Sequence, residues 1–287
     1  MSVNPLVRPF LKWAGGKRQL VPVIIPEIQK HLPKGSNRYY EPFIGAGAIL
    51  LTLQPKKAVI NDTNAELINC YQVIRDAVED LIDLLEDHKA RNSEDYYYEI
   101  REKDRETEYI HTISKEERAA RIIYLNKTCY NGLFRVNSQG QFNVPFGRYK
   151  NPSILDEAVL RGVSNYLNQN QVEILNLDFQ DAVSTAKKGD FIYFDPPYDP
   201  VSDTASFTGY DVNGFNKKEQ ERLRDVANNL IDRKCKILLS NACTDFILDL
   251  YNDTKRYKIE KVPANRAINS NALKRGKIEE VLIRNYE

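Results

Sequence analysis

At 287 residues the chain is long for one domain and short for three, which predicts one large domain or a domain carrying an insertion. A hydrophobic content of 42% with a mean hydropathy of -0.53 excludes a disordered chain and supplies the apolar mass for a core. Lysine and arginine number 41 against 40 acidic residues, and the formal charge of +1 argues on its face against a dedicated polyanion binder.

Short apolar runs bounded by polar or turn residues predict strands at 39–43, 57–61, 172–177, 190–195, 235–240 and 279–285. Amphipathic stretches at 17–30, 63–75, 153–169 and 217–233 repeat their apolar residues at three and four, the helical spacing. The alternation predicts an α/β fold in which crossover units build a mostly parallel sheet covered on both faces. It fails between residues 76 and 150, where the chain is first polar and helix-rich, then dense in Asn, Gly, aromatics and Arg. An insertion is expected there, with a hairpin turn from Ser138 to Asn143 around Gly140. Cys70, Cys129, Cys235 and Cys243 make no CxxC pair and have no histidine at ligand spacing, so reduced thiols are expected and a metal site is not. The segment MSVNPLVRPF lacks the apolar core of a signal peptide, and no run has the length of a membrane span. A cytoplasmic protein without membrane attachment is expected.

Three segments carry chemistry. Residues 41–47 (EPFIGAG) read as a strand, a glycine turn and a helix start, in which Gly45 and Gly47 let a ligand approach the backbone. Asp62 follows the next strand, where a carboxylate can hold a ribose diol. A nucleoside cofactor and a tight structural turn both satisfy this pattern, and helix capping is the alternative for Asp62 and for Asp178. Residues 10–17 (FLKWAGGK) resemble a phosphate loop only superficially, because Arg18 follows Lys17 and Leu11 stands where the leading glycine belongs. Trp13 in this turn is open to core packing as well as to a ligand. Residues 190–198 (DFIYFDPPY) form an apolar strand ending in Asp195-Pro196-Pro197-Tyr198. The prolines fix the backbone as it leaves the sheet, so one carboxylate, one rigid carbonyl and one aromatic ring are presented together at the sheet's carboxyl edge.

Phe-x-Gly-x-Gly after one strand and Asp-Pro-Pro-Tyr after a later one resemble the S-adenosylmethionine-dependent amino-methyltransferases that act on DNA. The order FIGAG, insertion, DPPY resembles their alpha group. LKWAGGK, EPFIGAG, YNGLFRVNSQGQFNVPFGRYK, DPPY and SNACT together resemble the Dam-type adenine-N6 enzymes that modify GATC, over nearly the whole chain. The resemblance implies a Rossmann-like methyltransferase sheet in a catalytic domain of residues 1–75 and 152–287. Residues 76–151 would be an inserted, mostly helical target-recognition domain carrying the hairpin. It implies S-adenosylmethionine as cofactor, held by Trp13, Lys17, Phe43, Gly45, Gly47, Asp62, Asp178 and Phe179, with Asp195 between cofactor and substrate. Asp195 and Pro196 would accept hydrogen bonds from the adenine amino group, and Tyr198 would stack on the flipped base. The implied partner is double-stranded DNA, with no obligate protein partner. Lys12 would meet the first guanine, Arg135 a guanine O6 and N7, Leu133 and Pro145 a thymine methyl, and Tyr130 and Asn131 the gap left by the flipped base. Asn137, Asn143, Arg148 and Lys150 would hold phosphates. Readers of GATATC share much of NGLFRVN and FNVPFG, so GATC and a longer GAT-containing site both remain open.

Residues 199–215 (DPVSDTASFTGYDVNGF) have no clear periodicity and predict a lid. A cytosine-N4 methyltransferase shares the chemistry but more usually carries Ser-Pro-Pro-Tyr. An RNA or protein amide methyltransferase leaves the insertion without a task. A non-catalytic DNA-binding protein has no need of both Asp195 and Tyr198, and hydride transfer from a nicotinamide has none for Asp-Pro-Pro-Tyr. Region by region, the charge balance reads differently. Residues 1–38 hold seven Lys/Arg and one acid, residues 127–151 four and none, and residues 254–277 eight and one, so these three segments carry +17 against -16 elsewhere. They are expected to contribute to one DNA-facing surface, and binding to weaken steeply with salt.

Overall fold

A computed structural model describes residues 3–13, 20–32, 35–200, 214–265 and 277–287. The chain runs through α1 (Val21–His31), β1 (Tyr39–Glu41), α2 (Ala48–Leu53), β2 (Lys57–Asn61), α3 (Ala65–Asp76) and α4 (Val78–Ala90). Then come α5 (Glu94–Glu102), α6 (Tyr109–Thr112), α7 (Lys115–Thr128), α8 (Glu157–Gln169), β3 (Gln171–Leu175) and α9 (Phe179–Ala182). The last elements are β4 (Phe191–Phe194), α10 (Lys217–Asp232), β5 (Lys236–Ala242), α11 (Asp245–Leu250), β6 (Lys258–Asn265) and β7 (Lys277–Arg284). They fall into two compact units. The first comprises Met1–Gly16, Gly45–Lys56 and Asp62–Asn176, and the second Lys17–Ile44, Lys57–Asn61 and Leu177–Glu287.

The second unit holds, among the described residues, six strands of a mixed sheet in the order β2-β1-β4-β5-β7-β6. β2, β1, β4 and β5 are parallel neighbours, while β7 runs antiparallel to both β5 and β6. All four residues of β4 are buried, the continuous apolar run of a strand covered on both faces. Just before it, the buried Asp190 accepts from the backbone N–H of Arg38 (2.8 Å) and of Lys187 (2.8 Å), which sets β1 and β4 side by side at their amino ends. At the other end of the sheet the buried Asn61 closes β2. Its Nδ2 donates to the carbonyls of Pro42 (3.1 Å) and Leu177 (3.0 Å), and its Oδ1 accepts from Leu177 N–H (2.8 Å). β6 is absent from the strands expected from the sequence. It lies at the sheet edge, of its residues 258–263 only Val262 is buried, and Pro263 interrupts the pattern.

In the first unit α7 packs against α3, α4 and α5, and α3 and α4 against α8. The polar stretch after residue 76 is helical because it is well capped: Ser93 accepts from Tyr96 N–H, and Ser114 with Glu117 forms a full capping box. The expected hairpin is present. Val136 bridges Phe142, Asn143 N–H donates to the Arg135 carbonyl (3.0 Å), and Gly140 turns the chain at φ +77°. Its second arm is mounted on the helices by main-chain atoms. Phe142 N–H donates to Asp104 (2.8 Å), Arg105 donates to the Phe142 carbonyl (3.1 Å), and Tyr97 OH donates to the Val144 carbonyl (2.7 Å). Asp104 is in turn paired with the buried Arg121 at 2.8 Å.

His88 of α4 stacks on Tyr124 (4.9 Å between ring centroids), and its Nδ1 lies 2.7 Å from Tyr96 OH. Burial pulls its pKa down from 6.5 to about 4, so the folded state holds it neutral where the unfolded chain takes up a proton. Its contribution is complete above pH 6.5 and is lost as pH falls toward 4. His88→Phe keeps the stack and removes the titration. Relative to wild type, its urea midpoints between pH 6.5 and 4 are expected to lose acid sensitivity worth roughly 2–3 kcal/mol.

Candidate active site

In the second unit β4 delivers Asp195, Pro196, Pro197 and Tyr198 at its carboxyl end. The neighbouring strand β5 ends in Ser240-Asn241-Ala242 and runs on to Cys243-Thr244, and this segment holds the proline turn in place. Ser240 Oγ donates to Asp195 Oδ1 (2.9 Å) and lies 3.0 Å from Tyr193 OH. Gln220 Nε2 of α10 donates to the Pro197 carbonyl (2.9 Å), and its Oε1 accepts from Asn241 Nδ2 (3.0 Å). Asn241 Oδ1 accepts from the backbone N–H of Asp199 (3.1 Å), while Thr244 Oγ1 donates to the Asp199 carboxylate (2.6 Å). Gln220, Ser240 and Asn241 are fully buried, so every one of these amide and hydroxyl groups must be paired within the protein. Tyr198 OH donates to Glu280 Oε2 of β7 at 2.9 Å. Burial, and next the Asp195 carboxylate, push the phenol well above its ordinary range, so it stays a neutral donor.

Phe43, Phe179 and Phe215 cluster in the same unit, with ring centroids 5.4 Å, 5.7 Å and 5.9 Å apart. Asp178 beside Phe179 caps α9 by accepting from Gln180 N–H (2.9 Å), which realises the capping alternative, and it also forms a bidentate ion pair with Arg222 at 2.8 Å for both contacts. The guanidinium holds the Asp178 carboxyl below its ordinary pKa and lies over the Phe179 ring, 4.2 Å from its centroid.

In the first unit the glycine turn is tight. Gly45 and Gly47 have φ +48° and +70°, and a Cβ on Gly47 would lie 2.6 Å from the Tyr71 hydroxyl, which donates to the Gly45 carbonyl at 3.0 Å. A Cβ on Gly45 would meet the Trp13 ring at 3.2 Å. Asp62 accepts from Gly45 N–H (3.1 Å) and Asn64 N–H (3.0 Å); Asn64, not Asp62, caps α3. Trp13 stacks on Phe134 (4.7 Å), so the ring of the FLKWAGGK motif touches the NGLFRVN motif. Lys17 lies outside the described residues, as do residues 201–213 of the predicted lid and 266–276 of the third basic segment.

The segment that follows α7 in this unit is built on a buried asparagine. Asn126 accepts from Lys12 N–H (2.9 Å) and donates to the carbonyls of Lys12 (2.7 Å) and Gly132 (3.1 Å). The Lys12 side chain lies against Gly132, where a Cβ would come within contact distance, and its Nζ sits 5.0 Å from the Tyr149 ring centroid. Asn131 and Gly132 both have positive φ (56° and 63°), and this turn leaves Tyr130 54% exposed. Arg135, Pro145, Arg148 and Lys150 are exposed and Leu133 half-buried. Arg135 donates through Nε and Nη2 to the side-chain and main-chain oxygens of Asn143 (2.7 and 3.1 Å). Asn137 Oδ1 accepts from the N–H of Gln139 (2.9 Å) and Gln141 (3.0 Å), which shapes the hairpin turn. Ser240, Asn241, Thr244, Gln220, Glu280, Arg222, Asn126 and Phe134 were not singled out as site residues by the sequence. Two motifs of the resemblance gave a signal, SNACT for Ser240, Asn241 and Thr244 and NGLFRVN for Phe134.

A mostly parallel sheet with Asp-Pro-Pro-Tyr at the end of an inner strand is the arrangement of a methyltransferase. Residues 13–268 match the family described as D12 class N6 adenine-specific DNA methyltransferase, and the chain belongs to that family. It is 48% identical to the type II methyltransferase M1.LlaDCHI of Lactococcus lactis subsp. cremoris, over 98% of this chain and 96% of the relative. It is 41% identical to the type II methyltransferase M.MjaIII of Methanocaldococcus jannaschii (98% and 99% covered) and 35% identical to the DNA adenine methylase of Escherichia coli K12 (96% and 94% covered). The protein is therefore an enzyme that methylates adenine N6 in DNA and requires a methyl donor.

Asn241→Ala strands the Gln220 carboxamide and the Asp199 N–H. A destabilisation of about 1–3 kcal/mol is expected, read as a lower urea midpoint at unchanged slope. The rate of methyl transfer should fall in the same variant while DNA binding persists.

Proposed function

We propose that the protein transfers a methyl group from S-adenosylmethionine to N6 of an adenine flipped out of duplex DNA, in the sequence GATC. The observation that carries the chemistry is the held proline turn. Gln220 engages the Pro197 carbonyl, so the acceptor pair proposed for the adenine amino group is the Asp195 carboxylate with the Pro196 carbonyl. The lone pair of N6 is delocalised into the purine ring. Hydrogen bonds from its two N–H groups to Asp195 and Pro196 draw the nitrogen toward tetrahedral geometry and aim the lone pair at the methyl carbon. When bound, the cofactor would supply that methyl as an electrophile on a positively charged sulfur, which would leave as the neutral thioether, and the Asp195 carboxylate beside the amino group would be placed to accept the proton that N6 gives up. Tyr198 stacks on the flipped base, its hydroxyl fixed by Glu280.

The residues present suit the cofactor. Phe43 with Asp178 and Phe179 would take the purine, Asp62 the ribose diol, and Trp13 with Lys17 the methionine end, while the positive φ of Gly45 and Gly47 suits a close backbone approach. Asp178 enters this role already paired with Arg222, so any bond to the purine amino group is made by a carboxylate held ionised. In the recognition role proposed for residues 76–151, Arg135 reads a guanine, and Leu133 and Pro145 meet a thymine methyl. Lys12 meets the first guanine, Tyr130 and Asn131 fill the gap left by the base, and Asn137, Asn143, Arg148 and Lys150 contact phosphates. GATC rests on the likeness of the insertion. The four free thiols suit a reducing compartment, and a cytoplasmic location is part of the proposal.

Tritiated methyl transfer to duplexes carrying GATC, GATATC or neither, followed by identification of the methylated nucleoside, tests this reading. Label in N6-methyladenine on the GATC duplex is expected; transfer confined to GATATC corrects the site, and N4-methylcytosine or no label overturns the proposal. Arg135→Ala should cost about 1–3 kcal/mol on cognate DNA. Equal weakening on mismatched duplexes would remove its base contact.

A further inference from the structure

We infer that Asn143 is a specificity-positioning residue that aims Arg135, an inference that rests on the proposed reading of guanine by Arg135. A guanidinium has two edges able to make paired hydrogen bonds, one formed by Nε and Nη2 and one by Nη1 and Nη2. Asn143 occupies the first of them with two acceptors, its Oδ1 on Nε (2.7 Å) and its main-chain carbonyl on Nη2 (3.1 Å). The second edge has the geometry that matches guanine O6 and N7, and Arg135 is exposed.

The mount is stiff. Asn143 stands between Phe142 and Val144, both buried and both tied through their backbones, to Asp104 (2.8 Å) and Tyr97 (2.7 Å). Asn143 N–H also donates to the Arg135 carbonyl across the hairpin (3.0 Å), so the two residues face each other in fixed register. A carboxylate at 143 would hold the same edge but cancel the charge that draws the protein to DNA. The amide orients the guanidinium and leaves it cationic, and among the described residues no carboxylate pairs with Arg135. Part of the rotamer entropy of a long exposed side chain is therefore removed before DNA arrives.

The test compares kcat/KM of the full chain and its N143A, N143D, R135A and R135A/N143A variants on GATC and on duplexes with each base pair of the site replaced in turn. N143A is expected to lower the cognate-to-substituted ratio about tenfold at the base pair where R135A lowers it. N143D keeps both acceptors, so it should hold that ratio within about twofold of wild type while its charge slows all substrates alike, and the double variant should discriminate no worse than R135A. If N143A lowers every substrate by one common factor, Asn143 is a phosphate contact only and the inference is overturned. It is equally overturned if N143D loses the ratio as N143A does. If R135A leaves all ratios unchanged, the guanine reading itself has failed, an outcome distinct from the failure of Asn143 beside a working Arg135.

Discussion

A side-chain amide buried away from water must have its donors and its acceptor paired, and in this protein that constraint fixes the functional loops. Asn61, Asn126 and Asn241 are each at most 1% exposed. Asn61 joins the turn after β1 to the chain at Leu177, Asn241 joins the segment after β4 to α10 through Gln220, and Asn126 joins the segment at Lys12 to the turn at Gly132. Each bridges segments that carry candidate site residues, and each does so within its own compact unit. A loop tied by a buried amide cannot drift by an ångström without leaving a polar group unpaired, which is the accuracy that methyl transfer and base reading both require.

What was legible in the sequence follows from what sequence patterns encode. β4 and its proline turn stand out because four buried apolar residues run into two residues that cannot donate hydrogen bonds. The glycine turn is legible for the same kind of local reason, and its reading as a tight turn holds: Gly45 and Gly47 sit where side chains would strike Trp13 and Tyr71. The edge strand β6 was not legible, since a half-exposed strand with a proline carries little alternation. Nor were the three asparagines. Their partners lie up to 116 residues away in sequence, and an asparagine that organises a core is spelled like one in a solvent loop.

Charge shows the same limit of averages. A formal charge of +1 excluded nothing about a nucleic-acid partner, because it summed basic segments with an acidic remainder. Within the first unit, Arg135, Arg148 and Lys150 all stand exposed in a stretch of 25 residues that holds no acid. The paired charges tell a complementary story. Arg121 with Asp104 is buried under the hairpin and shapes it, whereas Arg135 is held by neutral acceptors and keeps its charge for the surface.

The hairpin is fastened to its helices through the N–H and carbonyl of Phe142 and the carbonyl of Val144, atoms that nearly every amino acid offers. The exposed side chains at 135 and 145 and the half-buried one at 133 take no part in that fastening. Mounting and message are thus written in different chemistry, one in the main chain and one in side chains. Under the recognition role proposed for this segment, such a platform would let its letters be exchanged one at a time while the scaffold beneath them goes on folding, a route by which enzymes of one architecture would come to mark different words in DNA.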